Sequence, residues 1–284
     1  MTETIPDFSI CIPTFNGEKF IAETIKSILK QTFMNFEIII SDDGSTDKTL
    51  EIVRSFRDSR IVRIDSLAKV GAEINWNNSV ANARANLIKL VCQDDLIYPK
   101  CLEVEFETMT SKENKDVAFC FSSRDFVTPN HRRIGGRRIG NAAGDKYSKQ
   151  MLLKKIVRSG TNPIGEPMAV SFRKDAFQRA GEFRGDYVID LDMWSRLASH
   201  GGAVFISQSL SAFRISKTSW TSSLTKSQFS SVRNLSNKIA DMNPDCVGRA
   251  DLIRGRVIGL AKVQVRKFAS NLILFCDQFF RSTG

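Results

Sequence analysis

The sequence predicts an α/β fold: a mostly parallel central sheet with helices on both faces, followed by a C-terminal helical extension. Three observations carry this. Before Pro99, short apolar runs alternate four times with stretches of helical periodicity, the pattern of a parallel sheet covered on both sides. Two of the runs empty into loops with adjacent carboxylates, Asp42-Asp43 and Asp94-Asp95. From about Lys226 onward the apolar spacing is helical.

The first strand is Phe8 to Pro13, ending in the turn residues Pro13-Thr14-Phe15-Asn16-Gly17. Phe20, Ile21, Thr24, Ile25, Ile28 and Leu29 then recur at helical spacing. Phe36 to Ser41 is the second strand, and Asp42-Asp43-Gly44-Ser45-Thr46-Asp47 supplies acids, a glycine and an N-cap before the next helix. Arg60 to Ile64 is the third strand. A helix through Trp76 and Val80 leads to the fourth, Leu87 to Cys92. Both acidic loops therefore fall on one edge of the sheet, where open α/β sheets bind ligands. Adjacent carboxylates repel, and without a role such a pair is an ordinary solvated turn. At this edge Asp94-Asp95 also suits a hard cation such as Mg²⁺ or Mn²⁺ carrying a diphosphate.

Beyond Pro99 the alternation loosens. Cys101 to Thr110 reads as helix, and Val117 to Phe121, Met168 to Phe172 and Phe205 to Arg214 read as strands. Between Thr128 and Gly160 lie nine Lys or Arg and one acid, Asp145; with Gly135-Gly136, Gly140 and Gly144 the first part of this stretch reads as a loop. In Tyr187 to Leu197 one apolar stripe forms from Ile189, Met193, Trp194 and Leu197, while Asp190 and Asp192 open a helix. Ile253, Val257, Ala261, Val265, Phe268, Leu272, Phe275 and Phe279 make a last stripe, with Arg254, Lys262, Arg266, Lys267 and Arg281 beside it. Such a basic amphipathic helix packs on its domain, pairs with a partner or lies in a membrane interface.

Composition narrows the function classes. Of the 284 residues 42% are hydrophobic and 25% charged, the balance of a folded soluble chain. No run approaches the apolar length of a membrane span, and the N-terminus lacks the regions of a signal peptide, so a cytoplasmic working side is expected. Six scattered cysteines without a C-x-x-C pair argue against a disulfide framework or zinc site. Two histidines exclude a multi-histidine centre within one chain. The net charge of +10 suits phosphates or an anionic lipid surface; nucleic acid is not expected, since no aromatics interleave the basic stretch.

Four stretches, in this order and spacing, carry a resemblance: Ile12-Pro13-Thr14-Phe15-Asn16-Gly17, Ser41 to Asp47, Cys92-Gln93-Asp94-Asp95 with Pro99, and Ile189-Asp190-Leu191-Asp192-Met193-Trp194. Over roughly Phe8 to Thr221 the chain resembles glycosyltransferase family 2, whose members have the GT-A fold. The resemblance implies a nucleotide-diphospho-sugar donor, a divalent metal (Mg²⁺ or Mn²⁺) and inversion at the anomeric carbon. By position, Pro13, Thr14, Phe15 and Asn16 would line the nucleotide, and Asp42 would accept from the base with Asp43 alongside. Asn77 and Asp94 would contact the donor, Asp95 would bind the metal and Asp190 would be the general base. Glu166, Arg214 and Ser216 would serve the acceptor or the diphosphate. Two departures stand out: Cys92 occupies a position where the family often has an acid, and Ser216 one where many members have histidine.

The chemistry agrees with the resemblance. Expelling a nucleoside diphosphate develops charge that a metal can neutralise, and the incoming hydroxyl needs a carboxylate within about 3 Å. The expected organisation is a GT-A domain over 1–225, divided into a nucleotide-sugar-binding half (1–98) and an acceptor-binding half (99–225), with an amphipathic basic extension over 226–284. The expected function is transfer from a UDP- or dTDP-linked sugar to a glycan or lipid-linked acceptor in surface polysaccharide synthesis. It would be performed in the cytoplasm or against the inner face of the cell membrane. A non-catalytic nucleotide-sugar or glycan-binding module on the same fold is the alternative.

Overall fold

The computed structural model describes residues 5–65, 69–137, 144–185, 187–215 and 225–262, with side chains of 225–228 excepted. Its first half is the parallel unit the alternation predicts. Strands β1 (Phe8–Thr14), β2 (Phe36–Asp42), β3 (Ile61–Asp65) and β4 (Leu87–Leu90) stand in the order β3-β2-β1-β4, all parallel. Every residue of β1 and β2 is buried, as a sheet covered on both faces requires. Alternate residues serve opposite layers. Ile10, Ile12, Ile38 and Ile40 pack with Ile21, Ile25 and Ile28 of α1 (Ile21–Leu29) and with Val53 of α2 (Thr49–Ser55). Cys11 and Ile39 join the other layer, with Val80 of α3 (Ala72–Ala81).

The second half extends the same sheet but mixes strand directions. After β5 (Leu96–Ile97) and α4 (Cys101–Thr110) come β6 (Phe119–Val127), β7 (Arg133–Arg137), β8 (Lys146–Tyr147) and α5 (Lys149–Ser159). Then follow β9 (Val170–Arg173), α6 (Lys174–Ala180), α7 (Ile189–Leu197) and β10 (Ala203–Arg214). Strand β9 enters antiparallel between β4 and β6, and β10 lies parallel to β6 and antiparallel to β5. Because Lys89 pairs with Ser171 and Leu87 with Arg173, the residues just before β9 arrive beside the carboxyl end of β4. This reversal sets the segment before β9 against the end of the parallel unit.

Two expectations need correction. Gly135 and Gly136 are not loop; they sit in β7, which forms a hairpin with β6. Glycine carries little strand signal of its own, and pairing supplies what propensity lacks. The C-terminal stretch is not one helix either: α8 (Thr225–Met242) ends before a turn around Pro244, and α9 spans residues 249–262. A proline there removes a helical hydrogen bond and ends the run. Val265 and the rest of that stripe, Arg266, Lys267 and Arg281, and Gly140 lie outside the described residues.

Helix α9 docks through small residues, not through its apolar stripe. A Cβ on Gly255 would lie 2.0 Å from the Val157 carbonyl oxygen, and one on Gly160 would lie 2.2 Å from the Gly255 carbonyl oxygen. Backbones of α5 and α9 thus touch, which only glycine permits. Asp251 pairs with Arg158, and Lys262 Nζ donates to the Ser159 carbonyl at 3.1 Å.

One charged pair is sealed in the core. Lys89 Nζ of β4 donates to Glu105 of α4 at 2.8 Å, both side chains are fully buried, and Ser171 Oγ donates to the same carboxylate at 2.6 Å. Removing one partner of such a pair strands the other charge. Lys89→Met should therefore lower unfolding free energy by ~3–5 kcal/mol in urea denaturation; a loss under about 1 kcal/mol would contradict a stabilising role for the pair.

Candidate active site

The loops after β1, β2 and β4 are clasped to one another. Thr14 Oγ1 and the Phe15 N–H both donate to Gln93 Oε1, at 2.5 and 2.8 Å, and Gln93 Nε2 returns a bond to the Phe15 carbonyl at 3.0 Å. Asn16, with φ of 50°, receives Thr46 N–H on its Oδ1 at 2.9 Å, and its own N–H donates to Ser45 Oγ at 2.9 Å. Gly17 N–H donates to Thr49 Oγ1 at 2.7 Å. Asparagine tolerates the left-handed region, which explains its place at this bend.

Asp42 and Asp43 are both buried at the end of β2. Asp42 pairs in register with Thr14 and accepts from Ser45 N–H and Oγ, at 2.8 and 2.5 Å. Asp43 accepts from Val70 N–H at 2.6 Å and from Gly71 N–H, tying down the approach to α3. Pro13 is buried beneath them, while Phe15 is half-buried with Lys69 Nζ 4.1 Å above its ring. The structure thus brings Pro13, Thr14, Phe15, Asn16, Asp42 and Asp43 to one lip. Asn77 is not at that lip. Its amide exchanges two 2.9 Å bonds with the Phe183 backbone, so both polar groups are spent on anchoring the loop before α7. It is Asn75 that reaches toward β1 and β2, accepting from Ser41 Oγ at 2.7 Å and donating to the Thr14 carbonyl at 3.3 Å.

The opposite wall gathers acids. Asp95 is 1% exposed, and burial, then the neighbouring Asp94, pushes its carboxyl far above the usual range. Burial likewise raises Asp94. Asp190, second residue of α7, accepts from Asn162 Nδ2 at 2.7 Å and from Leu191 N–H at 2.8 Å. Desolvation, then the charge of Glu166, lifts its pKa to about 7. Burial alone would raise Glu166 too, but the wholly buried Arg124 guanidinium, ion-paired with it, holds it below the carboxylate range. These four carboxylates converge. Burial first, then the fields of Asp95, Asp94, Asp190 and Glu166, hold the Cys92 thiol well above its ordinary value. An acid at position 92 would have been a fifth like charge.

Arg214 is a staple and not a free anion ligand. Its Nε donates to the Asp94 carbonyl at 2.9 Å, Nη1 to the Pro129 carbonyl at 3.0 Å, and Nη2 pairs with Glu23 at 2.6 Å. Its backbone N–H reaches Asp95 Oδ1 at 3.3 Å. Ser216 lies outside the described residues. Asp192, indistinguishable from Asp190 in sequence, turns to Arg196 at 2.8 Å.

The resemblance implies a divalent metal. Among the described residues no three His, Cys, Asp or Glu side chains are set to close on one ion. Asp95 with Asp94 still fits Mg²⁺ or Mn²⁺, since such ions are held by one or two carboxylates plus substrate phosphates. Sequence reasoning missed Gln93, Arg124 and Asn162. Gln93 stood inside the Cys92-Gln93-Asp94-Asp95 stretch, Arg124 lay next to Asp125 just beyond the Val117 to Phe121 strand, and Asn162-Pro163-Ile164-Gly165 had turn chemistry.

A family model described as glycosyl transferase family 2 matches residues 9–181, and the chain belongs to that family. An uncharacterised Mycobacterium tuberculosis protein is 30% identical over 220 residues, covering 74% of this chain and 67% of its own. A UDP-Glc:α-D-GlcNAc-diphosphoundecaprenol β-1,3-glucosyltransferase of Escherichia coli is 30% identical over 146 residues, 51% of this chain and 54% of that protein. Several other curated relatives are spanned over only about a third of their length. The TarS 1-349 crystal structure from S. aureus, in complex with UDP-GlcNAc, matches with TM-score 0.68 at 20% identity, covering 89% of this chain and 71% of that one. The fold is GT-A.

Gln93→Ala deletes the clasp between the β1 and β4 loops and should cost ~1–3 kcal/mol of stability by denaturant titration, the range for stranding buried polar partners. An unchanged midpoint would show that the loops stand without it.

Proposed function

We propose that this chain transfers a sugar, with inversion, from a UDP- or dTDP-linked donor to a hydroxyl of a glycan or lipid-linked acceptor in surface polysaccharide synthesis, on the cytoplasmic side of the membrane. The observation that carries the reading is the placement of Asp190, whose carboxylate is aimed by Asn162 Nδ2 at 2.7 Å and Leu191 N–H at 2.8 Å and is lifted by burial, then Glu166, to about 7. A base tuned near the working pH combines adequate ionisation with adequate proton affinity. The names of the Escherichia coli relative and of the TarS complex, both citing a UDP-sugar, favour the donor class.

The nucleotide occupies the clasped lip: Phe15 and Asn16 beside the base, Asp42 accepting from it, Asp43 holding the lip closed. Asp95, with Asp94, would hold a divalent cation, whose chemistry is to neutralise the charge developing on the departing diphosphate. Asp190 takes the acceptor hydroxyl's proton on a carboxylate oxygen as the new carbon–oxygen bond forms. Asn162 and Leu191 N–H fix the direction of that carboxylate. Glu166, kept anionic by Arg124, repels the Asp190 charge and so raises its proton affinity.

Asp190→Asn should leave donor binding within about twofold while lowering turnover ~10²–10⁴-fold. Asp95→Asn should instead abolish the added thermal stabilisation that Mn²⁺ gives in the presence of UDP. Full activity in both variants would overturn the assignment, and a wild type that binds UDP without transferring any sugar would leave a binding module.

A further inference from the structure

Helix α9 has two faces with opposite chemistry. Asp251, Gly255, Gly259 and Lys262 face α5, with Gly255 and Gly259 in backbone contact and Asp251 neutralised by Arg158. The other face carries Ile253, Val257 and Leu260, 62%, 63% and 54% exposed. Their spacing of four and three aligns them in one row. Arg249, Arg254 and Arg256 are exposed beside that row. The only acid on the helix, Asp251, points inward, so the outer face bears three positive charges and no negative one.

Glycine docking leaves this row facing outward although a basic, half-apolar helix of this kind usually buries its apolar side. Three aligned aliphatic side chains rimmed by arginines match a bilayer interface: the apolar row enters the acyl boundary while the guanidiniums meet anionic headgroups. A protein partner would need an acidic rim; an anionic lipid surface supplies it everywhere.

We infer that the outer face of α9 docks the protein on an anionic lipid bilayer. The placement is useful to the proposed reaction, on which it rests for its purpose only. Helix α9 sits against Gly160, two residues before Asn162, the side chain that aims Asp190. A bilayer against the outer face of α9 would thus be separated by that one helix from the Gly160 to Asn162 segment.

The test is sedimentation of the full chain with vesicles of phosphatidylcholine, alone or mixed with phosphatidylglycerol. Binding should be about tenfold or more tighter to the mixed vesicles and should weaken with salt. Ile253→Ser/Val257→Ser/Leu260→Ser should lose most of that binding with an unchanged melting temperature, and Arg249→Glu/Arg254→Glu should erase the preference for anionic lipid. Asp190→Asn should sediment like wild type, so failure of the catalytic reading leaves this result standing. Undiminished binding by the triple serine variant overturns the inference. So does a lowered melting temperature in that variant, which would place the row in a packed core. A wild-type dimer that dissociates on the triple substitution would assign the face to a second copy instead.

Discussion

Like-charge crowding at the carboxyl edge of β4 is the constraint to which the rest of the site answers. The fields of four carboxylates reach Cys92, and acids so near one another cannot all ionise without countercharge. The fold supplies that countercharge unevenly. Arg124, wholly buried, neutralises Glu166; Arg214, wholly buried, is spent on carbonyls and on Glu23. Asp95 and Asp94 receive little relief, and their carboxyls rise. The edge so arranged is left short of positive charge around Asp94 and Asp95. Cys92 fits this account: a neutral side chain keeps the charge density from rising further.

Topology explains why the crowding arises. Parallel strands β1, β2 and β4 would alone present only the lip of Thr14, Phe15, Asn16, Asp42 and Asp43. The antiparallel insertion of β9 carries Glu166 back to the end of β4, and the β6 pairing that follows carries Arg124 to meet it. One continuous sheet therefore runs through both halves of the chain, and the acids near Cys92 are drawn from both.

Much of this was legible in the residues. Strands with three successive isoleucines, Ile38 to Ile40, admit few readings, and Asp42-Asp43 before Gly44 and Ser45 states a tight acidic turn. The choice between Asp190 and Asp192 was not legible from charge, since both suit a helix start; Arg196 four residues after Asp192 was the local clue. Asn75 and Asn77, two residues apart on α3, point to different faces: Asn75 bonds Ser41 and Thr14, and Asn77 bonds the Phe183 backbone. The α9 stripe was visible as a periodicity, but periodicity does not say which face docks. Gly255 and Gly259 did, and their signal was small because glycine carries no side chain to count. Gly135 and Gly136 were illegible for the same reason, since only their partners in β6 make them strand.

The central claim is that Asp190, raised by burial and by Glu166, is the proton acceptor. Its raised pKa means that the ionised, competent form is lost as pH falls through about 7. The most direct measurement is the pH dependence of kcat/KM for sugar transfer. The account predicts a rate that climbs about tenfold per pH unit on the acid side and levels above a midpoint near 7, with that limb absent in Asp190→Asn. A profile flat from about pH 5 upward, or one whose limb survives the substitution, would contradict it.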